Sequence, residues 1–137
     1  MPVKVRVELK SRRNSRTVTT TAFVNTGFMS ETPDIALPPI VAEQLGLWPR
    51  PCDALLVTLE TGGGSIEAYI VPQGLTVKVI AQDRTSREVI ANALVNPHLD
   101  DVLIGDALAE ELDIQILYPR KGIWRFADEE VMRKSED

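Results

Sequence analysis

A short polar motif, Asn25-Thr26-Gly27, directly follows a run of β-branched and apolar residues at positions 17–24. The asparagine amide donates and accepts hydrogen bonds, but it takes up no proton near neutral or acid pH. The threonine hydroxyl is a second hydrogen-bonding group, and the glycine permits a tight backbone path. The motif therefore predicts a loop at the end of a strand in which polar side chains are presented around Asn25.

Other reactive side chains are sparse. A single cysteine, Cys52, excludes an intramolecular disulfide, and with one histidine, His98, the chain has no Cys/His cluster for zinc. No Ser or Cys nucleophile motif accompanies His98. The triplet Gly62-Gly63-Gly64 lacks the following Lys-Ser or Lys-Thr of a phosphate-binding loop. We expect neither a metal nor a cofactor.

The amino-acid composition excludes several further classes of protein. The chain has 137 residues, 44% of them hydrophobic, which fits one domain with a substantial core. Asp and Glu (20) outnumber Lys and Arg (15), which argues against a nucleic-acid partner. No apolar run approaches the roughly 20 residues that span a bilayer, and the first residues lack the apolar stretch of a signal peptide. We expect a cytoplasmic protein without a membrane partner.

Hydrophobic periodicity predicts many short strands and few helices. The predicted strands are 3–9, 17–24, 54–60, 66–71, 75–80, 88–94 and 102–104, with the last strands around 114–116 and 123–126. Short helices are predicted at 38–45 and 106–112, and a frayed helix or disorder at 128–137. This pattern indicates an all-β barrel or sandwich.

Two segments in this order resemble the retropepsin-like aspartic proteases. The first is residues 22–28, Ala-Phe-Val-Asn-Thr-Gly-Phe, and the second is Val102-Leu103-Ile104-Gly105 followed by a short helix. In that family a strand delivers Asp-Thr-Gly or Asp-Ser-Gly to the active site, and a later apolar-apolar-Gly strand crosses beneath it. The triplet at 62–64 lies where the family has its flap tip, and residues 37–47 look like the connection in microbial members. The resemblance spans residues 1–126 and leaves 127–137 as a charged tail.

The resemblance implies a single-lobe closed barrel with one or two short helices that forms a homodimer. It also implies an aspartic endopeptidase that cleaves polypeptides with water, without metal, cofactor or covalent intermediate. Two carboxylates about 3 Å apart share one proton, so one acts as base while the other polarises the scissile carbonyl. This chain has Asn25 where the family has that aspartate, so we expect it to be inactive or severely impaired.

Site residues follow by matching positions. The implied catalytic loop is Asn25, Thr26 and Gly27; the implied substrate contacts are Phe28, Gly62, Gly63 and Gly64; and Leu103, Ile104 and Gly105 support the loop. Thr26 matches the threonine that braces the partner loop, whereas the bulky Phe28 departs from the small residue of viral members. Substrate preference therefore does not transfer from the viral enzymes.

The asparagine leaves several interpretations open. It is an engineered replacement of aspartate, or the mark of a natural pseudoprotease that binds peptides by strand addition without cleaving them. Deamidation to an acid is disfavoured, because the next residue, Thr26, is β-branched. In the remaining alternative, Asn25-Thr26-Gly27 is an ordinary turn in an unrelated barrel.

Overall fold

The computed structural model describes residues 3–24 and 30–136, and over these residues the chain forms ten strands and two short helices. The first seven strands are β1 (Val3–Ser11), β2 (Thr17–Val24), β3 (Asp34–Leu37), β4 (Leu55–Thr61), β5 (Gly64–Val79), β6 (Val89–Val95) and β7 (Val102–Ile104). The last three are β8 (Ile114–Tyr118), β9 (Ile123–Phe126) and β10 (Arg133–Lys134). The helices are α1 (Pro39–Gln44) and α2 (Asp106–Glu111).

Six strands close into a barrel. The main sheet has the order β1-β2-β7-β3-β6-β5-β4, and β1 also pairs with β5, which joins the two sides of the ring. Strand β4 stays outside the ring, hydrogen-bonded to β5, and β10-β9-β8 form a separate small sheet. The predicted mostly-β closed barrel with two short helices is confirmed.

Alternation along β1 explains how the core forms. Val3, Val5, Val7 and Leu9 are fully buried, whereas Arg6 between them is exposed. Because successive side chains of a strand point to opposite faces, the apolar residues of β1 all face the interior of the barrel and form one side of its core. β6 repeats the alternation from Val89 to Val95 on the opposite side of β5.

The predicted separation of strands 66–71 and 75–80 is wrong. β5 runs continuously from Gly64 to Val79, and its pairing with β6 shifts register between Val71 and Leu75. A side chain at Gly74 would bring its Cβ to 2.8 Å from a methyl carbon of Val71, so only glycine fits the bulge. The break in the sequence pattern therefore marks a bulge within one strand.

The expected frayed or disordered conformation is wrong for residues 128–136. Arg133 and Lys134 form β10 against β9, and the backbone N–H of Glu136 donates to the Lys4 carbonyl. The Arg133 guanidinium donates to both Glu129 and Asp83. The charged segment is thus ordered by strand pairing, by a backbone bond to Lys4 and by ion pairs within the segment and with Asp83.

Candidate functional site

The strand that resembles the family's supporting strand lies between the two strands that flank the Asn25 loop. β7 pairs in parallel with β2, where Ile104 is opposite Val24, and antiparallel with β3, where Ile104 is opposite Ile35. Ile104 is fully buried. Val24 at the end of β2 and Ile35 in β3 therefore lie on opposite sides of Ile104. The segment that connects β2 to β3 is thus anchored at both of its ends by pairing with β7.

The residues predicted to form the catalytic loop, Asn25, Thr26 and Gly27, lie outside the described residues, as does Phe28. The residues predicted to support this loop, Leu103, Ile104 and Gly105, are among the described residues. Gly105 follows β7 and donates its backbone N–H to the Asp34 carbonyl over 3.1 Å, which ties the start of α2 to the start of β3.

A hydrogen-bond network at the start of β3 was missed by sequence reasoning. The Asp34 carboxylate accepts bonds from the hydroxyls of Ser30 and Thr32 and, at 2.8 Å, from the Asn92 amide of β6. The Asn92 oxygen in turn accepts the backbone N–H of Gln73 at the bulge. The only local indication of this network is the spacing of Ser30, Thr32 and Asp34, which are two positions apart along the chain. The network fixes the segment that returns from the loop to the barrel.

The predicted glycine-rich hairpin tip is present. β4 and β5 pair from Leu55 to Gly64, and Gly62 and Gly63 form the turn between them. Gly64 has φ of 121°, a conformation that other residues rarely adopt. All three glycines are exposed, and an added Cβ at any of them would meet no atom within 4 Å. The tip projects into open space.

A groove of about 660 Å³ lies beside the base of this hairpin. Trp48 and Tyr69 stack on one side with ring centroids 6.3 Å apart, and the Tyr69 hydroxyl donates to the Leu47 carbonyl. Burial raises the pKa of the Tyr69 phenol to about 12, an effect that the positive charge of Arg50 partly opposes. The phenol therefore stays neutral and donating at physiological pH, and it holds this wall of the groove in place.

The described residues offer little other reactive chemistry. They contain no group of three or more His, Cys, Asp or Glu side chains arranged to hold a metal ion. Cys52 is exposed, and His98 lies exposed at the edge of the groove. No helix among them has the length and apolar character needed to cross a membrane.

Comparison with known proteins adds no relative. No family model matches the sequence, and no curated protein matches it.

Proposed function

We propose that the chain is a retropepsin-like aspartic endopeptidase scaffold that acts as a homodimer, with residue 25 of each copy in the catalytic pair. The observation that carries the proposal is the position of β7 between β2 and β3, with Ile104 opposite both Val24 and Ile35. A buried strand thus lies between the two strands that precede and follow the Asn25 segment, which supports the resemblance to the family. In this proposal the hairpin of β4 and β5 is the flap that covers a bound polypeptide, and its exposed glycine tip supports that assignment.

With aspartate at position 25, the reaction needs only the paired side chains and water. The ionised carboxylate takes a proton from water while the oxygen of that water bonds to the scissile carbonyl carbon. The protonated partner hydrogen-bonds the carbonyl oxygen and stabilises its developing charge. Collapse of the tetrahedral adduct breaks the C–N bond, and the amine leaves with a proton from the pair.

Asparagine at position 25 removes this chemistry while it keeps the shape. A carboxamide has nearly the volume of a carboxylic acid and can hydrogen-bond across a two-fold axis. Near neutral or acid pH, however, it cannot accept a proton from water. The chain with Asn25 is therefore a catalytically silent or severely weakened form in this proposal, with its fold and its dimer retained.

A second candidate is a peptide-binding protein without catalysis. Asn25 itself favours it, because the sequence carries an amide at the one position where hydrolysis needs an acid. Strand β4 lies at the edge of the sheet and pairs with only one neighbour among the described strands, so its other side gives such a protein a place for strand addition.

The substitution Asn25→Asp tests the proposal. The variant should cleave an unstructured protein between about pH 4 and 7, and a transition-state-mimicking inhibitor of aspartic proteases should block the cleavage. Gln82→Glu is the matched control, because it makes the same amide-to-acid change at an exposed turn.

The oligomeric state of the variant is measured by sedimentation alongside the cleavage assay. A dimeric Asn25→Asp variant that cleaves nothing over the whole pH range would contradict the endopeptidase and favour the peptide binder. A strict monomer at micromolar concentration would contradict the homodimer and its shared catalytic pair.

A further inference from the structure

The groove beside the hairpin is mainly apolar and reaches the surface. Its apolar lining comprises Trp48, Pro49, Leu56, Ile66, Ala68 and Pro97, together with the ring of Tyr69. Leu56 lies directly opposite Tyr69 across β4 and β5, so the two side chains share one face of the hairpin. Leu56 is nevertheless 66% exposed. The volume of about 660 Å³ is within the range of sites that hold a bulky apolar group.

Two opposite charges line the same groove. Arg50 and Glu67 both contribute to it, and neither forms an ion pair or hydrogen bond with another side chain in the described part of the chain. Elsewhere in the fold, arginines such as Arg13 and Arg133 are paired with carboxylates. Glu67 is cross-strand partner to Thr58, two residues beyond Leu56, which places it on the hairpin face that Leu56 and Tyr69 share. The groove thus offers an apolar centre with one positive and one negative group beside it.

Strand β4 provides backbone groups next to this groove. It is the last strand of the main sheet and pairs with β5 on one side, and no other described strand pairs with it. An edge strand presents N–H and C=O groups that an extended chain can pair with. Alternate side chains of a chain added there would point toward the face that carries Leu56.

From these three features we infer that the groove binds an extended polypeptide segment in which a bulky apolar residue is flanked by one acidic and one basic residue. The apolar side chain packs over Leu56, on the face of the hairpin that Leu56 and Tyr69 share, and points toward the Trp48 ring. The acidic neighbour faces Arg50, the basic neighbour faces Glu67, and the backbone pairs with β4. The inference rests on the proposed function in that a polypeptide is the ligand, and it adds the sequence chemistry that is recognised.

The test is a charge exchange measured with labelled peptides on the Asn25 chain. Fluorescence anisotropy compares a 12-residue probe whose central Phe lies between Glu and Lys with probes in which Phe becomes Ser or Glu becomes Lys. Replacing Phe should weaken binding about tenfold or more, because the buried apolar area is lost. Replacing Glu should weaken it roughly two- to fivefold, as expected for an exposed ion pair.

Arg50→Glu should reverse the charge preference, so that the variant binds the Lys-Phe-Lys probe more tightly than the Glu-Phe-Lys probe. Arg120→Glu, the same change at an exposed turn outside the groove, should leave the preference intact. Leu56→Ser, at a largely exposed position, should weaken all Phe-containing probes without unfolding the protein.

Three results would overturn the inference: equal effects of Arg50→Glu and Arg120→Glu, equal affinity for the Phe and Ser probes, or no binding of any probe at millimolar concentration. Self-association that Leu56→Ser abolishes would instead assign the groove to a second copy of the chain. Because the titration needs no catalysis, its failure is distinct from failure of the endopeptidase proposal, which the Asn25→Asp assay decides.

Discussion

Replacing Arg133 with methionine tests how firmly the C-terminal segment is held to the barrel. The Arg133 side chain is only 11% exposed, and it donates to both carboxylate oxygens of Glu129 over 2.8 and 3.1 Å. It also binds Asp83, and its guanidinium lies 5.4 Å from the centre of the Phe126 ring. Methionine keeps an apolar stem against that ring and removes the charge and its hydrogen bonds.

The expected loss follows from the Glu129 contacts. Hydrogen bonds to charged groups contribute about 1.5–3 kcal/mol, and Glu129, 13% exposed, keeps the Phe126 backbone N–H and Arg84 as partners. Asp83 is 62% exposed and adds little. Arg133→Met should therefore lower the free energy of unfolding by about 2 kcal/mol. With an unfolding entropy of about 0.3 kcal/mol per kelvin for a chain of this length, the thermal midpoint should fall by about 7 °C.

The loss should depend on pH. Hydrogen bonding from Arg133 lowers the pKa of Glu129 below its ordinary value, so the folded protein binds this proton less tightly than the unfolded chain. The pair therefore stabilises the fold above the ordinary pKa of about 4.3 and loses its effect as pH falls through the lower folded value. The difference between the parent protein and Arg133→Met should be full at pH 7 and should narrow below about pH 4.

Urea unfolding followed by circular dichroism measures both effects, with Arg125→Met as the matched control. Arg125 is 30% exposed, donates to the side-chain oxygen of the exposed Gln115 over 3.0 Å and pairs at 3.8 Å with the fully exposed Glu130, so its loss should cost clearly less than the loss of Arg133. Equal losses in the two variants would refute the reasoning, and so would an Arg133→Met deficit that is unchanged at about pH 3.

Two further substitutions test the groove wall and the hairpin tip. Tyr69→Phe should lower the free energy of unfolding by about 1 kcal/mol through loss of the bond to the Leu47 carbonyl. Because burial raises the Tyr69 pKa to about 12, the parent should lose stability as pH rises above about 10, and urea titrations should find a smaller loss in this variant. Gly64→Ala should cost about 1 kcal/mol or more because of its φ of 121°. Gly63→Ala, whose added carbon meets nothing within 4 Å, should leave the free energy of unfolding nearly unchanged. Equal thermal midpoints of the Gly64→Ala and Gly63→Ala variants would contradict this expectation.

Local patterns predicted the strands that bury one face. Val3, Val5 and Val7 alternate with polar residues, so the sequence alone predicts a strand and its inward side. β3 was missed because Ile35 and Leu37 are fully buried on either side of the buried Ala36, which leaves no alternation to detect. Its partners, β6 and β7, lie far along the chain and leave no local trace.

The other differences between the predicted and the observed structure arise from contacts between residues that are far apart in the sequence. The bulge at Gly74 resembles a turn in sequence, but β5 has neighbours on both sides that keep it in the sheet. The C-terminal segment is held by the bond from the Glu136 backbone N–H to the carbonyl of Lys4 near the start of the chain, which no local pattern in a charged segment reveals. For the candidate site, the sequence pattern predicted the strand β7, and its support of the Asn25 loop stays a prediction. The Asp34 network depends on Asn92 from another strand and has no complete local signal.

The position of β4 outside the closed ring has an evolutionary consequence. Every strand of the ring is held on both sides, so a substitution there disturbs two neighbours at once. Among the described strands β4 pairs only with β5, and its residues Leu55 and Leu56 are largely exposed. Substitutions at the exposed positions of β4 should therefore destabilise the fold less than substitutions within the ring. Sequence changes can accumulate in β4 while the ring folds as before.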